Sequence, residues 1–331
     1  MRSFLILAAL ALLAIVAAEL PAEAQAPSTR FYLPMIGRDP TPTPSPTPSA
    51  IQIRYEGHAE NHGWMGWQSE SAIAGTEDDT KRLEAFRAEV VTGSGITMRY
   101  RAHLSGVGWQ EWKQNGEIAG TVGEQRPIEA IQMALVNASG ANWLSVETRA
   151  EGWGWLGPVK DSWIAGTTGQ ARKITAFRAR VRHDKAEPAA VKVAYNAALQ
   201  DTGEQGWKRN GEEAGVTGEQ RRLEALRVLL YNHPESMGID VRANVEGEWQ
   251  DWRSNGAQAG TTGVAKRITA VELRLTSAYT GTVLSYGAHF QNRGWIEYAS
   301  DNPSKNNPIL GNPTDLFRLE AFRLGLGNAA E

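Results

Sequence analysis

The chain has 331 residues and no cysteine. For an exported protein that excludes disulfides and a lipid-anchored cysteine, and it leaves packing alone to hold the fold. An excess of one charge sign is also missing: 34 Lys and Arg stand against 37 Asp and Glu, scattered rather than run together. No electrostatic footprint for nucleic acid or an anionic membrane stands out. No GxSxG, HExxH or cysteine nucleophile is present to carry a hydrolase. Beyond the N-terminal segment, no apolar stretch approaches the roughly 20 residues of a membrane span. What is present is 41% hydrophobic residues, enough to fill a core, and a large share of tryptophan: 12, against 8 tyrosines and 7 phenylalanines.

The N-terminus reads MRSFLILAALALLAIVAAELPAEAQA. One arginine, an apolar run from Phe4 to Ala18 and the small-x-small triplet Ala22-Glu23-Ala24 predict a secretory signal peptide over residues 1–24. The expected location is extracellular or at the cell surface, with no membrane span in the mature chain. Residues 25–50 hold an unassigned segment, RFYLPMIGR, and the Pro/Thr-rich linker DPTPTPSPTPS from Asp39 to Ser49. Proline at every second position fixes φ and removes donors, which favours a polyproline-II rod; at roughly 3.1 Å per residue this linker would extend about 34 Å.

From residue 51 the chain consists of repeats. An Ala-Gly pair, Leu-Gly in the last copy, ends at Gly75, Gly120, Gly166, Gly215, Gly260 and Gly311, and a Glu-Ala or Thr-Ala pair follows it at Ala85, Ala130, Ala176, Ala225, Ala270 and Ala321. The six units run 51–95, 96–140, 141–187, 188–237, 238–282 and 283–331. The charged segment RHDKAEPAA, with Pro188, lengthens the third step and places a boundary between a first module, 51–187, and a second, 188–331. The recurring order is a Gly-Trp, an Asn-Gly, an Ala-Gly-Thr-x-Gly and a Leu/Ile-Glu-Ala. It resembles the ChW (clostridial hydrophobic, conserved-Trp) repeat family over essentially all of 51–331. The second and fifth repeats fit best. The first has Asp78 for the last Gly of the Ala-Gly-Thr-x-Gly motif, the third has Pro158 where a Trp is usual, and the sixth carries the insertion SDNPSKNNPILGNP. The resemblance implies an exported protein, often placed at the cell surface, with adhesion or attachment to polysaccharide as its role and no established catalytic residue.

Six copies allow each position to be read several times. In ITMRYRAHL the apolar Ile96, Met98, Tyr100, Ala102 and Leu104 alternate with Thr97, Arg99, Arg101 and His103, the period of a half-buried strand. The segment RLEAFRAEV is helical by propensity. Comparison overrules that, because Phe86/Ala88/Val90 returns as Ile131/Met133/Leu135, Phe177/Ala179/Val181, Leu226/Val228/Leu230, Val271/Leu273/Leu275 and Phe322/Leu324/Leu326. It reads as a strand with a bulge at the Ala. Asn115-Gly116, Asn210-Gly211 and Asn255-Gly256 predict type I′ hairpins, since both central residues need positive φ. The expected fold is all-β, two pseudo-threefold modules of three four-stranded repeats each, β-prism-like, with a β-trefoil and a six-bladed propeller as alternatives. A propeller buries both faces of most sheets, whereas the first strand here keeps a polar face.

Glu84, Glu129, Glu224 and Glu320 recur at one position, with Thr175 and Thr269 in the other two repeats. A catalytic carboxylate needs one special environment, so a copied one reads as structural, hydrogen-bonded or paired with Arg82, Arg222 or Arg318. His58, His103 and His289 share a position but lie in separate repeats, which predicts no metal site there. The acidic run Glu77 to Asp79 occurs in the first repeat only and reads as a local turn. No catalytic residue and no cofactor are expected. The tryptophans fall mostly at two positions, Trp64, Trp109, Trp155, Glu204, Trp249 and Trp295 at the first and Trp67, Trp112, Pro158, Trp207, Trp252 and Tyr298 at the second. The plainer reading is that these rings fill the core. The sharper one makes one position a platform for a sugar ring, since Glu204 does not readily replace a fully buried Trp. On that reading the ligand-binding residues are Trp67, Trp112, Trp207, Trp252, Asn115 and Asn255. The function expected is that of a secreted, non-enzymatic protein attaching to carbohydrate or cell-envelope polymer through repeated weak sites. A protein-protein adhesion scaffold at the cell surface is the alternative, and a hydrolase ranks below both.

Overall fold

The alternating segments are strands in every repeat. Opening strands run Gln52–Ala59, Thr97–Leu104, Trp143–Ala150, Lys192–Leu199, Ile239–Val245 and Thr282–Phe290. Each pairs antiparallel with the closing strand of its own repeat: Leu83–Thr92, Ile128–Val136, Ile174–Arg182, Leu223–Tyr231, Ile268–Leu275 and Leu319–Asn328. RLEAFRAEV is extended despite its helical propensity, because only a two-residue period sends both Phe86 and Ala88 into the core. The computed structural model describes residues 51–139, 142–184, 191–277, 282–300, 308–315 and 317–328, and no helix occurs among them. All belong to one unit, Pro48–Glu331. The expected signal peptide, the segment and linker over 25–50, and the boundary between 187 and 188 lie outside the described residues.

In each pair the register slips, and the residue skipped is Glu84, Glu129, Thr175, Glu224, Thr269 or Glu320. The bulge therefore sits one residue before the expected alanine, which stays in register opposite His58, His103, Arg149, Ala198, Asn244 or His289. A bulged residue leaves its backbone unpaired within its own hairpin, and here another repeat uses it. The N–H of Thr121 donates to the Glu84 carbonyl at 2.8 Å, Thr167 to Glu129 at 3.1 Å and Thr76 to Thr175 at 2.8 Å. In the second half Thr261 reaches Glu224 at 2.8 Å, Asn312 reaches Thr269 at 3.3 Å and Val216 reaches Glu320 at 3.1 Å.

These bonds flank the Ala-Gly strands, which every repeat gives to a neighbour. Ala119–Gly120 pairs with Leu83–Thr92, Trp163–Gly166 with Ile128–Val136, and Ala74–Gly75 returns from the first repeat to Ile174–Arg182 of the third. The same cycle follows with Gln258–Gly260, Leu310–Gly311 and Ala214–Gly215 on the closing strands of the fourth, fifth and sixth repeats. Pairing thus closes after three repeats, twice, giving two pseudo-threefold rings of three sheets. A propeller would close after six. In the first, second and fourth repeats the turn before the Ala-Gly strand reaches the same neighbour: Gly116 N–H donates to Ala88, Ser71 to Ala179 and Gly211 to Leu324, all at 2.8 Å.

Inward-facing tyrosines and phenylalanines fill the rings. Phe86 lies 5.2 Å from both Tyr100 and Phe177, and Tyr55 lies 5.1 Å from Phe177, so side chains of three repeats meet. In the second ring Tyr195 packs on Phe322 at 5.7 Å. The buried hydroxyls find carbonyls: Tyr55 donates to Ala72 and Tyr100 to Glu117, each at 2.6 Å, and Tyr286 to Pro308 at 2.5 Å. Burial is the main cause that pushes Tyr55, Tyr100 and Tyr195 up to about 12, and it raises Tyr286 as well. An unfolded tyrosine ionises near pH ~10, so the folded state holds these protons more tightly. Their contribution to stability is complete below about pH 10 and is lost as pH rises through about 12. A urea midpoint that stays level across that window, followed together with tyrosinate absorbance, would contradict this.

Candidate binding surface

The residues that alternate with the core meet on the outer face of each sheet, and one cross-strand pair there always contains an arginine. It is Arg87 opposite Glu56, Arg101 opposite Gln132, Arg178 opposite Glu147, Arg227 opposite Asn196, Arg242 opposite Glu272 and Arg323 opposite Gly287. The arginine changes strand but not place. Its guanidinium lies over the first-position tryptophan, 4.6 Å from Trp64, 4.8 Å from Trp109, 4.5 Å from Trp155, 4.6 Å from Trp249 and 4.4 Å from Trp295. Where Glu204 replaces the ring, Arg227 pairs with that carboxylate at 3.0 Å instead. Carboxylates complete the arrangement: Arg87 holds Glu56 at 2.6 and 2.8 Å, and Arg242 holds Glu272 at 2.5 and 2.8 Å. Such cation–π contacts contribute on the order of 0.5–2 kcal/mol each.

The second position repeats the pattern in three repeats. Trp67 has Arg54 at 4.4 Å and Arg87 at 4.8 Å, Trp112 has Arg99 and Arg101 both at 4.6 Å, and Trp252 has Arg242 at 4.7 Å and Arg274 at 4.2 Å. Trp207 is half-buried and packs against the core. The core role expected for these tryptophans holds only in part, at Trp207: no ring at either position is fully buried, and of the 12 in the sequence only Trp163 is. The reason is local. The second-position rings lie in irregular stretches such as Met65–Trp67, where Gly66 at φ +84° turns its N–H to Glu56 and no two-residue period directs side chains inward. Asn115 and Asn255 have positive φ, as expected, and their side-chain oxygens accept the N–H of Met98 at 3.0 Å and of Ile239 at 3.3 Å. They fasten their turns to the opening strands.

The recurrent glutamates carry the bulges and pair as anticipated, Glu84 with Arg82 and Glu224 with Arg222 at 2.8 Å, Glu320 with Arg318 at 2.9 Å. His58, His103 and His289 lie 3.4, 3.2 and 3.3 Å from Glu84, Glu129 and Glu320, each edge-on to a tryptophan. Burial pushes the Glu129 carboxyl up, but His103, Ser105 and the Gly169 N–H more than offset it, so Glu129 titrates below the usual glutamate range. Among the described residues no three metal-type ligands converge. The acidic run of the first repeat does more than make its own turn. Asp79 pairs with Arg149 and accepts the Gly152 N–H at 3.2 Å, while Glu77 accepts the Trp155 indole N–H at 3.1 Å. Both contacts join the first repeat to the third.

The fold and this surface define an all-β protein of repeated units, with a tryptophan-arginine row on the outside of its sheets. The family model described as Clostridial hydrophobic W matches residues 58–91, 103–137, 199–232 and 246–277, and the chain is a ChW repeat protein. Those segments lie in the first, second, fourth and fifth repeats. No curated protein matches the chain, and no solved structure does.

Proposed function

We propose that the protein is exported and non-enzymatic, and that it attaches to carbohydrate or another cell-envelope polymer at the cell surface through several weak sites. The observation that carries this reading is the repetition, over the outer faces of the sheets, of partly buried indoles set among guanidinium, carboxylate and amide groups. Equivalent shallow sites suit a polymer, because linked weak contacts multiply overall avidity by ~10²–10⁴. The Trp112→Ala, Trp252→Ala double variant should lose at least roughly tenfold in retention on the insoluble polysaccharide that holds the parent chain. It should still melt cooperatively, at a temperature lowered by the lost arginine contacts, since neither ring is in the core. A lost cooperative melt would instead make these rings structural.

The covered state of the indoles favours a second reading, a protein-protein adhesion scaffold. Arginines already occupy the faces of Trp67, Trp112 and Trp252, and exposed Val91, Val107, Val122 and Val264 add apolar spots. Titration with soluble glycans separates the two: tryptophan fluorescence shifts and saturates under the first reading and does not respond under the second.

A further inference from the structure

The third and sixth repeats, the two outside the family match, close their rings and depart from the others in the same way. Their middle strands, Gly154–Val159 and Gly294–Ser300, pair along much of their length with the opening strand. Leu156 and Val159 therefore enter the core, Tyr298 packs on Tyr286 at 5.4 Å, and Pro158 is left exposed. No second-position tryptophan covers the outer face. The strand position that carries Arg54 and Arg99 beside such a ring in the first two repeats is Ser145 in the third and Ser285 in the sixth. A cavity opens at each place. One, of about 240 Å³, is lined by Ser71, Ser145, Glu147, Arg178, Ala179 and Arg180. The other, of about 270 Å³, is lined by Gly211, Ser285, Glu297, Arg323 and Gly325 among others.

The two cavities correspond in their turn, serine and arginine residues, while the carboxylate comes from the opening strand in one, Glu147, and from the middle strand in the other, Glu297. Ser71 and Gly211 come from the turn that the first repeat of each ring docks on the third, Ser145 and Ser285 from the opening strand, Ala179 and Leu324 from the closing strand. Both hold an ion pair, Arg178 with Glu147 at 2.7 Å and Arg323 with Glu297 at 2.5 Å. In both, the guanidinium also lies over an indole, Trp155 or Trp295.

We propose that these two ring-closing seams are saccharide subsites, each taking one neutral sugar unit, so that one chain grips a polymer at two places. This rests on the carbohydrate reading above. Size limits the occupant: both volumes fall short of the ~300–1,000 Å³ of pockets for drug-sized ligands. Chemistry selects it. A guanidinium donates, a carboxylate accepts and a serine hydroxyl does both, which matches the adjacent hydroxyls of a polyol. The guanidinium of each pair already carries its carboxylate, so an anionic ligand would meet Glu147 or Glu297 as a like charge. Arg180 lines only the first cavity and has Gly325 as its counterpart, so the shared part of the site is neutral.

The test uses the full chain on insoluble cellulose, chitin and peptidoglycan, with an anionic polysaccharide as a further arm. Ser145→Arg and Ser285→Arg fill the seams with the side chain that the first and second repeats carry there. The expected result is retention of the parent chain on a neutral polymer, about tenfold weaker for either single variant and at least hundredfold weaker for the pair, with cooperative melting retained. Equal retention of parent and double variant overturns the seam assignment and leaves the broader reading standing. A parent chain held by no glycan sinks both, and retention on the anionic polymer alone overturns the neutral-sugar assignment. Should either arginine variant fail to fold, Glu147→Gln with Glu297→Gln decides: a tenfold loss supports the subsites, and no loss overturns them.

Discussion

Replacing Gly120 by alanine should lower the stability of the first ring by about 4 kcal/mol, near the upper end for a single substitution. Its φ is +97°, and a Cβ there would stand 2.3 Å from the carbonyl oxygen of Glu84 and 2.6 Å from the Cα of Ala85. Both obstacles are backbone of the neighbouring repeat, so no rotamer change relieves them. The same geometry holds at Gly75, Gly166, Gly215, Gly260 and Gly311, each with a carbonyl oxygen 2.3–2.5 Å from the added atom. Gly108→Ala is the internal control. Its φ is +98° with nothing within 4 Å, so it should cost only the conformational penalty, about 1–2 kcal/mol. Urea unfolding of the two variants separates the terms. Equal losses would mean that the Ala-Gly strand is not seated as tightly as described.

Phe86→Ala should cost about 3–5 kcal/mol, the range for emptying a buried aromatic site. Phe86 is fully buried and touches Tyr100 of the second repeat and Phe177 of the third, so no repeat can refill the space without displacing another. Hydrogen exchange should show Leu83–Thr92, Ile128–Val136 and Ile174–Arg182 losing protection together. Faster exchange confined to the first repeat would show that the three sheets do not share one core.

The strands were legible because six copies make the sequence its own alignment: helix propensity in RLEAFRAEV gives way once Phe86/Ala88 is seen to return as Ile131/Met133 and Leu226/Val228. The turns were legible because Asn-Gly has a specific backbone requirement, met at Asn115, Asn210 and Asn255 with positive φ. The tryptophans were not, because alternation assigns faces only inside regular strands, and Trp67, Trp112 and Trp252 lie where the backbone leaves the ladder. Glu204 and Pro158 were the usable signal, as residues that a buried site would not accept. The arginine row was hidden for a different reason. Arg101 and Arg242 stand on opening strands while Arg87, Arg178, Arg227 and Arg323 stand on closing ones, so no aligned column shows it and only the register brings the positions together. The acidic run Glu77–Asp79 read as a local turn because its partners, Arg149 and Trp155, are two repeats away.

Synthesis runs in one direction, and the sutures run in the other. Ala119–Gly120 and Trp163–Gly166 emerge when their acceptor strands are already made, whereas Ala74–Gly75 must wait for Ile174–Arg182, about a hundred residues later. At ~5–20 residues per second that interval is of order 5–20 s, during which a nascent chain exposes an unpaired edge that another nascent chain of the same kind can fill. The Ala-Gly strand itself gives no means of telling one acceptor repeat from another, since all six acceptor carbonyls are alike. Discrimination falls to what lies beside it: Asp79 on Arg149 and Glu77 on Trp155 mark the third repeat as the correct destination. A chain stripped of those two carboxylates would keep only the shared Ala-Gly contact to choose among acceptor strands, and pairing with a wrong repeat is the form that error would take.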